Sequence, residues 1–157
     1  MKPADFIAAI APAAQTSMQS TRIPASFVIA EGALESGWGS SMLAEKGLNL
    51  FGVKADPSWK GATIDMRTRE FLHGEWLMLP AKWRKYSDWL DCINDHAQFL
   101  LTNPRYKAAF DHADDAEAFT MAIAAAGYAT DPTYAGKIIA IIQGHNLTQF
   151  DKRSAAA

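Results

Sequence analysis

Most of this chain repeats apolar residues at helical spacing. PADFIAAI opens with Pro3 at a first-turn position, where its missing N–H costs nothing. IPASFVIAEGALES starts at Pro24, runs on as an almost unbroken apolar helix and stops at Gly37. SSMLAEKGLN predicts a short helix ended by Gly47. NLFGVKADPSWKGA has no period and many turn residues, so it predicts a loop. From residue 62 to about residue 86 the period falls to two. ATIDMRTREFL puts Ile64, Met66, Thr68 and Glu70 on one parity, HG follows as a turn, and EWLMLPAKWRKY returns. This is the pattern of a β-hairpin, with Pro80 confining part of the second arm to an edge.

Helices resume after Ser87, a good N-cap, in DWLDCINDHAQFLL. Pro104 restarts a helix in PRYKAAF. Asp114 and Glu117 form a capping box for DAEAFTMAIAAA, which Gly127 closes. Asp131 and Pro132 make an N-cap and N1 pair ahead of TYAGKIIAIIQ, ended by Gly144. The expected fold class is α+β, a mainly helical body with one small β-hairpin lobe. Residues 1–150 are expected to form a single domain, and residues 151–157 a frayed tail.

Composition narrows the function more than the fold. At 157 residues the chain can bury a real core. Its net charge of -2 gives no basic footprint for nucleic acid and no general attraction to an anionic membrane. No run approaches the ~20 apolar residues of a membrane span. Cys92 is the single cysteine, so no intramolecular disulfide forms and the thiol suits a reducing cytoplasm. The N-terminal apolar run is broken by Pro3, Asp5 and Pro12, and reads as a helix of the domain rather than a signal peptide. Nothing points to an obligate dimer, so a monomer is expected.

The candidate chemistry is carboxylate chemistry. Glu35 falls at the predicted C-terminal end of its helix, where the macrodipole opposes ionisation. Apolar neighbours Val28, Ile29, Leu34 and Trp38 add desolvation, and both effects favour a protonated acid at neutral pH. The plain alternative is a solvated helix-end glutamate. Glycoside hydrolysis requires a second carboxylate across the scissile bond. Glu31 shares a helix face with Glu35 and is poorly placed for that. Glu70 ends the inward-facing row of the hairpin, so it faces either a cleft or a partner, with Arg67 and Arg69 the nearest candidates. Glu75 and Asp65 read as solvated. Trp59, in DPSWKG, is the best platform for a sugar face, or else a loop anchor, and Trp89 reads as core. Cys92 and His96 lie four apart on a helix, but no further ligand clusters with them, so no zinc site is expected. No phosphate loop or Gly-x-Ser-x-Gly elbow is present.

The ordered set ALESGWGSS, NLFGVKADPSWKG, TREF, NPRYKAAF and AGYATDPTYAGKIIAII resembles glycoside hydrolase family 73, the endo-β-N-acetylglucosaminidases, and is especially similar to the flagellar type of peptidoglycan-hydrolase domain. The resemblance spans roughly residues 20–143. It implies a lysozyme-like fold, peptidoglycan as substrate, and cleavage of the β-1,4 bond after N-acetylglucosamine. It makes Glu35 the general acid, Glu70 the second acidic residue, and Tyr128 the cleft tyrosine of GYAT, placed to hold a substrate N-acetyl oxygen. Asn49, Phe51 and Gly52 match the loop that shapes the glycan groove, and Trp38, Trp59 and Tyr134 complete the expected substrate contacts. No metal or organic cofactor is expected. The chain begins almost at the glycosidase segment, unlike the flagellar proteins, which suggests a phage or prophage endolysin released by a holin, or a toxin delivered by a secretion apparatus. Rival readings are a muramidase or lytic transglycosylase on the same fold, a non-catalytic glycan-binding module, and a structural protein of a phage tail or rod.

Overall fold

The computed structural model describes residues 1–152. Its elements in chain order are α1 (Pro3–Thr21), α2 (Ala25–Ser36), α3 (Met42–Gly47), β1 (Thr63–Leu72), β2 (Glu75–Arg84), α4 (Trp89–Thr102), a 3-10 helix (Pro104–His112), α5 (Ala116–Ala125), α6 (Tyr134–Gly144) and a second 3-10 helix (Leu147–Asp151). The body is helical, and β1 and β2 form one antiparallel hairpin.

Helix α2 is the axis of the body. Every residue from Ala25 to Ala33 is buried, as its nearly all-apolar run requires. It packs against α1, α5, α6 and the terminal 3-10 helix. Its N-terminus is capped from far along the chain. Asp151 Oδ1 accepts from Ser26 N at 2.7 Å and Oδ2 accepts from Ser26 Oγ at 2.6 Å. Asp151 therefore belongs to the fold, which corrects the expected tail boundary by one residue. The rest of that tail from 153 on lies outside the described residues. At the other end of α2, Gly37 takes a left-handed φ of 58° and its N–H closes on Ala33 O.

Three helix starts differ from the expected ones, two of them because another oxygen reaches the first turn. Asp88, not Ser87, caps α4 by accepting from Asp91 N. Asp115, not Asp114, caps α5 by accepting from Glu117 N and Ala118 N. Asp131 accepts from Thr133 N and Oγ1, forming a turn that delays α6 to Tyr134. Pro12 sits inside α1, which runs on to Thr21.

The hairpin has the expected parity. Ile64, Met66, Thr68 and Glu70 are half-buried, while the residues between them are exposed. Its tip is apolar and open: Phe71, Trp76 and Met78 are each more than half exposed. Two contacts fix its base to the body. Arg84 Nη1 donates to Asp95 Oδ2 at 2.7 Å, and the Tyr86 hydroxyl donates to the same oxygen at 2.6 Å, so the end of β2 is tied to α4. Asn49 Nδ2 donates to Arg84 O at 2.9 Å and Val53 O at 3.0 Å, and its Oδ1 accepts from Val53 N at 3.1 Å. Among the described residues no helix is long and apolar enough to cross a membrane.

Candidate active site

Glu35 stands in the last turn of α2, open to solvent, directly before the turn made by Gly37, Trp38 and Gly39, all three at positive φ. Positive φ suits glycine, and at Gly39 a Cβ would also come within 2.8 Å of Met1 Cε. Trp38 is the exception. Its left-handed φ of 57° is held by ring contacts with Phe6 and His145 at centroid distances of 5.7 and 5.0 Å. Trp38 thus anchors the turn to the body, and the turn ends α2 just past the carboxyl. Although Glu35 is solvent-open, enough protein surrounds it to matter. Partial desolvation, then the charge of Glu31, raise its proton affinity, and His96 opposes them.

Glu31, one turn earlier, is fully buried. Its Oε1 accepts a short hydrogen bond from the Tyr128 hydroxyl and lies 3.1 Å from His96 Nε2. That nitrogen is also 3.1 Å from the Tyr128 hydroxyl. Tyr134, at the start of α6, is 3% exposed, and its hydroxyl is buried beside Glu31. Burial first, and then the Glu31 charge, raise both tyrosine hydroxyls well above their ordinary range. Tyr128 is therefore committed to Glu31. A role in holding a substrate N-acetyl oxygen, which the resemblance implies, would have to share that hydroxyl with Glu31.

Beside this cluster lies a cleft of about 320 Å³ lined by Phe51, Lys54, Arg84, Asp95, His96 and Phe99. Phe51 stacks on His96 with ring centroids 4.2 Å apart and planes 15° from parallel. Gly52 follows at φ 65°, in open space, so backbone conformation alone calls for glycine there. Lys54 Nζ, at the rim, lies 2.9 Å from Glu70 Oε1. The partner of Glu70 is thus Lys54, not Arg67 or Arg69. Neither this cleft nor a larger recess of about 610 Å³, lined by Trp59, Ala62, Tyr86 and Asn94 among others, includes Glu35 or Glu70 in its lining. Trp59 there is an anchor: its Nε1 donates to Ala62 O at 2.9 Å, Arg84 lies over its ring and Tyr86 meets its edge. Asn49 is 1% exposed with its amide fully engaged, so it shapes the loop and does not itself reach a substrate.

Sequence reasoning set Glu31 aside as a second carboxylate and weighed His96 only beside Cys92, and so missed that the two meet. The signal was present: a carboxylate in the middle of a fully buried helix demands a polar partner. Among the described residues no group of three His, Cys, Asp or Glu is arranged to hold a metal ion.

The glucosaminidase family, described as mannosyl-glycoprotein endo-β-N-acetylglucosaminidase, matches residues 11–147. The chain belongs to that family. It is 41% identical over 143 residues to the peptidoglycan hydrolase FlgJ of Salmonella typhimurium, covering 88% of this chain and 45% of that protein. It is 38% identical over 152 residues to the exo-glucosaminidase LytG of Bacillus subtilis, covering 94% of this chain and 53% of that protein. The chain thus spans about half the length of these curated relatives. Among solved structures, a C-terminally truncated glycoside hydrolase domain from Salmonella typhimurium FlgJ superposes with a TM-score of 0.80 at 39% identity, covering 92% of this chain and 98% of that one. The catalytic domain of the autolysin Auto from Listeria monocytogenes superposes with a TM-score of 0.85 at 31% identity, covering 95% and 87%. Glucosaminidase domains of this family are lysozyme-like, and the helical body with its two-stranded hairpin is that architecture.

Proposed function

We propose that this chain hydrolyses peptidoglycan at the β-1,4 bond after N-acetylglucosamine, with Glu35 as proton donor. One observation carries the reading: a solvent-open carboxyl at the end of a buried helix, its proton affinity raised by desolvation and by Glu31. The names of the relatives FlgJ and LytG support the substrate and bond class.

In this mechanism protonated Glu35 gives its proton to the glycosidic oxygen as the bond to the anomeric carbon breaks. Positive charge develops on the N-acetylglucosamine ring. Ionised Glu70, on the inner face of β1, steadies that charge or takes the proton of the water that adds to the anomeric carbon. The residue set requires no metal for these steps. If the domain reaches the wall from the periplasm, through a lysis pore or a secretion apparatus, it is bacteriolytic. Export of the domain fused to a signal peptide should then lyse the host, and the Glu35→Gln form should not.

Mass spectrometry of digested, borohydride-reduced peptidoglycan tests the bond. N-acetylglucosaminitol ends are expected. N-acetylmuramitol or anhydromuramyl ends would overturn the bond assignment, and no new ends would overturn the activity.

A further inference from the structure

Behind the proton donor lies a second ionisable pair that the cleavage mechanism does not use. Glu31 is fully buried on α2 and His96 is 11% exposed on α4, with Oε1 and Nε2 3.1 Å apart. A carboxylate with no exposure is costly unless paired, and one removed from its partner is costlier still. Glu31 lies four residues before Glu35, so both side chains share one helix face. His96 presents its other side to the cleft, where Phe51 stacks on it. The pair therefore connects the helix that holds the proton donor to the floor of the cleft.

The surrounding groups leave little else to act on Glu35. Tyr128 and Tyr134, from the α5–α6 loop and from α6, face both glutamates, and their raised hydroxyls stay neutral. On the cleft side of His96, Arg84 is taken up by Asp95 and Asp56, and Lys54 by Glu70. Among the described residues, Glu31 and His96 are the ionisable groups whose charge acts on the donor.

We propose that Glu31 and His96 act as a positioning pair behind Glu35, Glu31 placing a negative charge one helical turn below the donor and His96 cancelling part of it. The proposal rests on the reading of Glu35 as proton donor. The two partners act on Glu35 with opposite sign: the Glu31 carboxylate favours the protonated acid, and His96 opposes it.

The two partners predict shifts of opposite sign. In Glu31→Gln the Glu35 midpoint falls by about one pH unit, and in His96→Gln it rises. The direct measurement is a ¹³C NMR titration of the Glu35 side-chain carboxyl in the wild type and both variants. The alkaline limb of kcat/KM on peptidoglycan should move with each midpoint. Unmoved midpoints, or shifts of the same sign, overturn the proposal, since a purely structural role would lower the melting temperature without displacing a titration. Should Glu31→Gln fail to fold, His96→Gln decides alone: a rise supports the pair, and no change or a fall overturns it. The NMR midpoint is read without turnover, so a wild-type protein that releases no sugar ends would sink the proposed function and still test the pair.

Discussion

Lys54 Nζ lies 2.9 Å from Glu70 Oε1, linking the loop after α3 to the inner face of β1. Both side chains are well exposed, at 53% and 37%. An ion pair in such surroundings contributes only about 0–1 kcal/mol to stability. Its consequence is orientation: it holds the second carboxylate at the rim of the cleft that Lys54 itself lines.

Glu70→Gln separates these two roles. We expect a fall in kcat of about 10²-fold or more, the range for loss of a positioned base. The melting temperature should stay within a few degrees of wild type, because little stability is at stake. Lys54→Met should leave the fold intact and lower kcat less, since the carboxylate loses its orientation but not its chemistry. Steady-state rates and thermal melts of both variants check this. A Glu70→Gln rate near wild type would remove Glu70 from the mechanism.

Asn49→Ala should act through the loop. The substitution leaves Val53 N and Arg84 O without their side-chain partner in a part-buried setting, while Val53 O keeps the Arg84 N–H. Orphaned buried groups of this kind cost about 1–3 kcal/mol each, less where water enters, so a loss of about 2–4 kcal/mol is expected. In a domain of this size that lowers Tm by roughly 5–15 °C. Phe51 and Lys54 sit on the same loop, so KM should rise while the pH profile keeps its midpoints. An unchanged Tm in a calorimetric scan would contradict the clamp.

How far the chain could be read without coordinates depended on the range of the interactions. The hairpin was legible because a period of two is local, and its inward parity placed Glu70 correctly. The end of α2 was legible because Gly37 comes two residues after Glu35. The caps were not, since Asp88 and Asp115 each compete with a neighbouring polar residue that sequence alone ranks as highly, and Asp131 closes a turn on Thr133 instead of capping α6. Asp151 looked like tail because its partner, Ser26, is 125 residues away. The Glu31–His96–Tyr128 cluster joins three separate segments through side chains alone, and no local pattern announces such a meeting. Lys54 was hidden for the same reason: Arg67 and Arg69 are closer in sequence to Glu70, but their parity turns them away from it.

Cys92 should be inert in the folded protein. It is fully buried on α4 and receives the Leu50 N–H at 3.5 Å. Burial pushes its thiol up to about 12. At pH 8 only about one thiol in 10⁴ is then ionised, and the thiolate is the reactive form. Iodoacetamide at pH 8 should label the native protein no faster than it unfolds, and label it fully in denaturant. Rapid labelling without unfolding would mean that α4 opens locally.

The Glu35→Gln variant carries a prediction about stability as well as rate. Its activity should vanish, because glutamine has no proton to give. Its stability should depend on pH relative to wild type in one direction only. The folded protein raises the proton affinity of Glu35, through desolvation first and the Glu31 charge second. At a pH below the ordinary carboxyl range, Glu35 is protonated both folded and unfolded, and glutamine mimics it well. As the pH rises, the unfolded chain releases its proton first and the folded state must follow through its own higher midpoint, so the wild type loses stability across that window. Glutamine never makes this transition. Glu35→Gln should therefore melt close to wild type at pH 4 and above it at pH 7, with the gap opening between those values. Thermal melts of the two proteins across pH 3.5–7.5 measure that gap. A gap that closes or reverses toward neutral pH would mean that the folded state favours the ionised carboxylate, which is the wrong state for a proton donor.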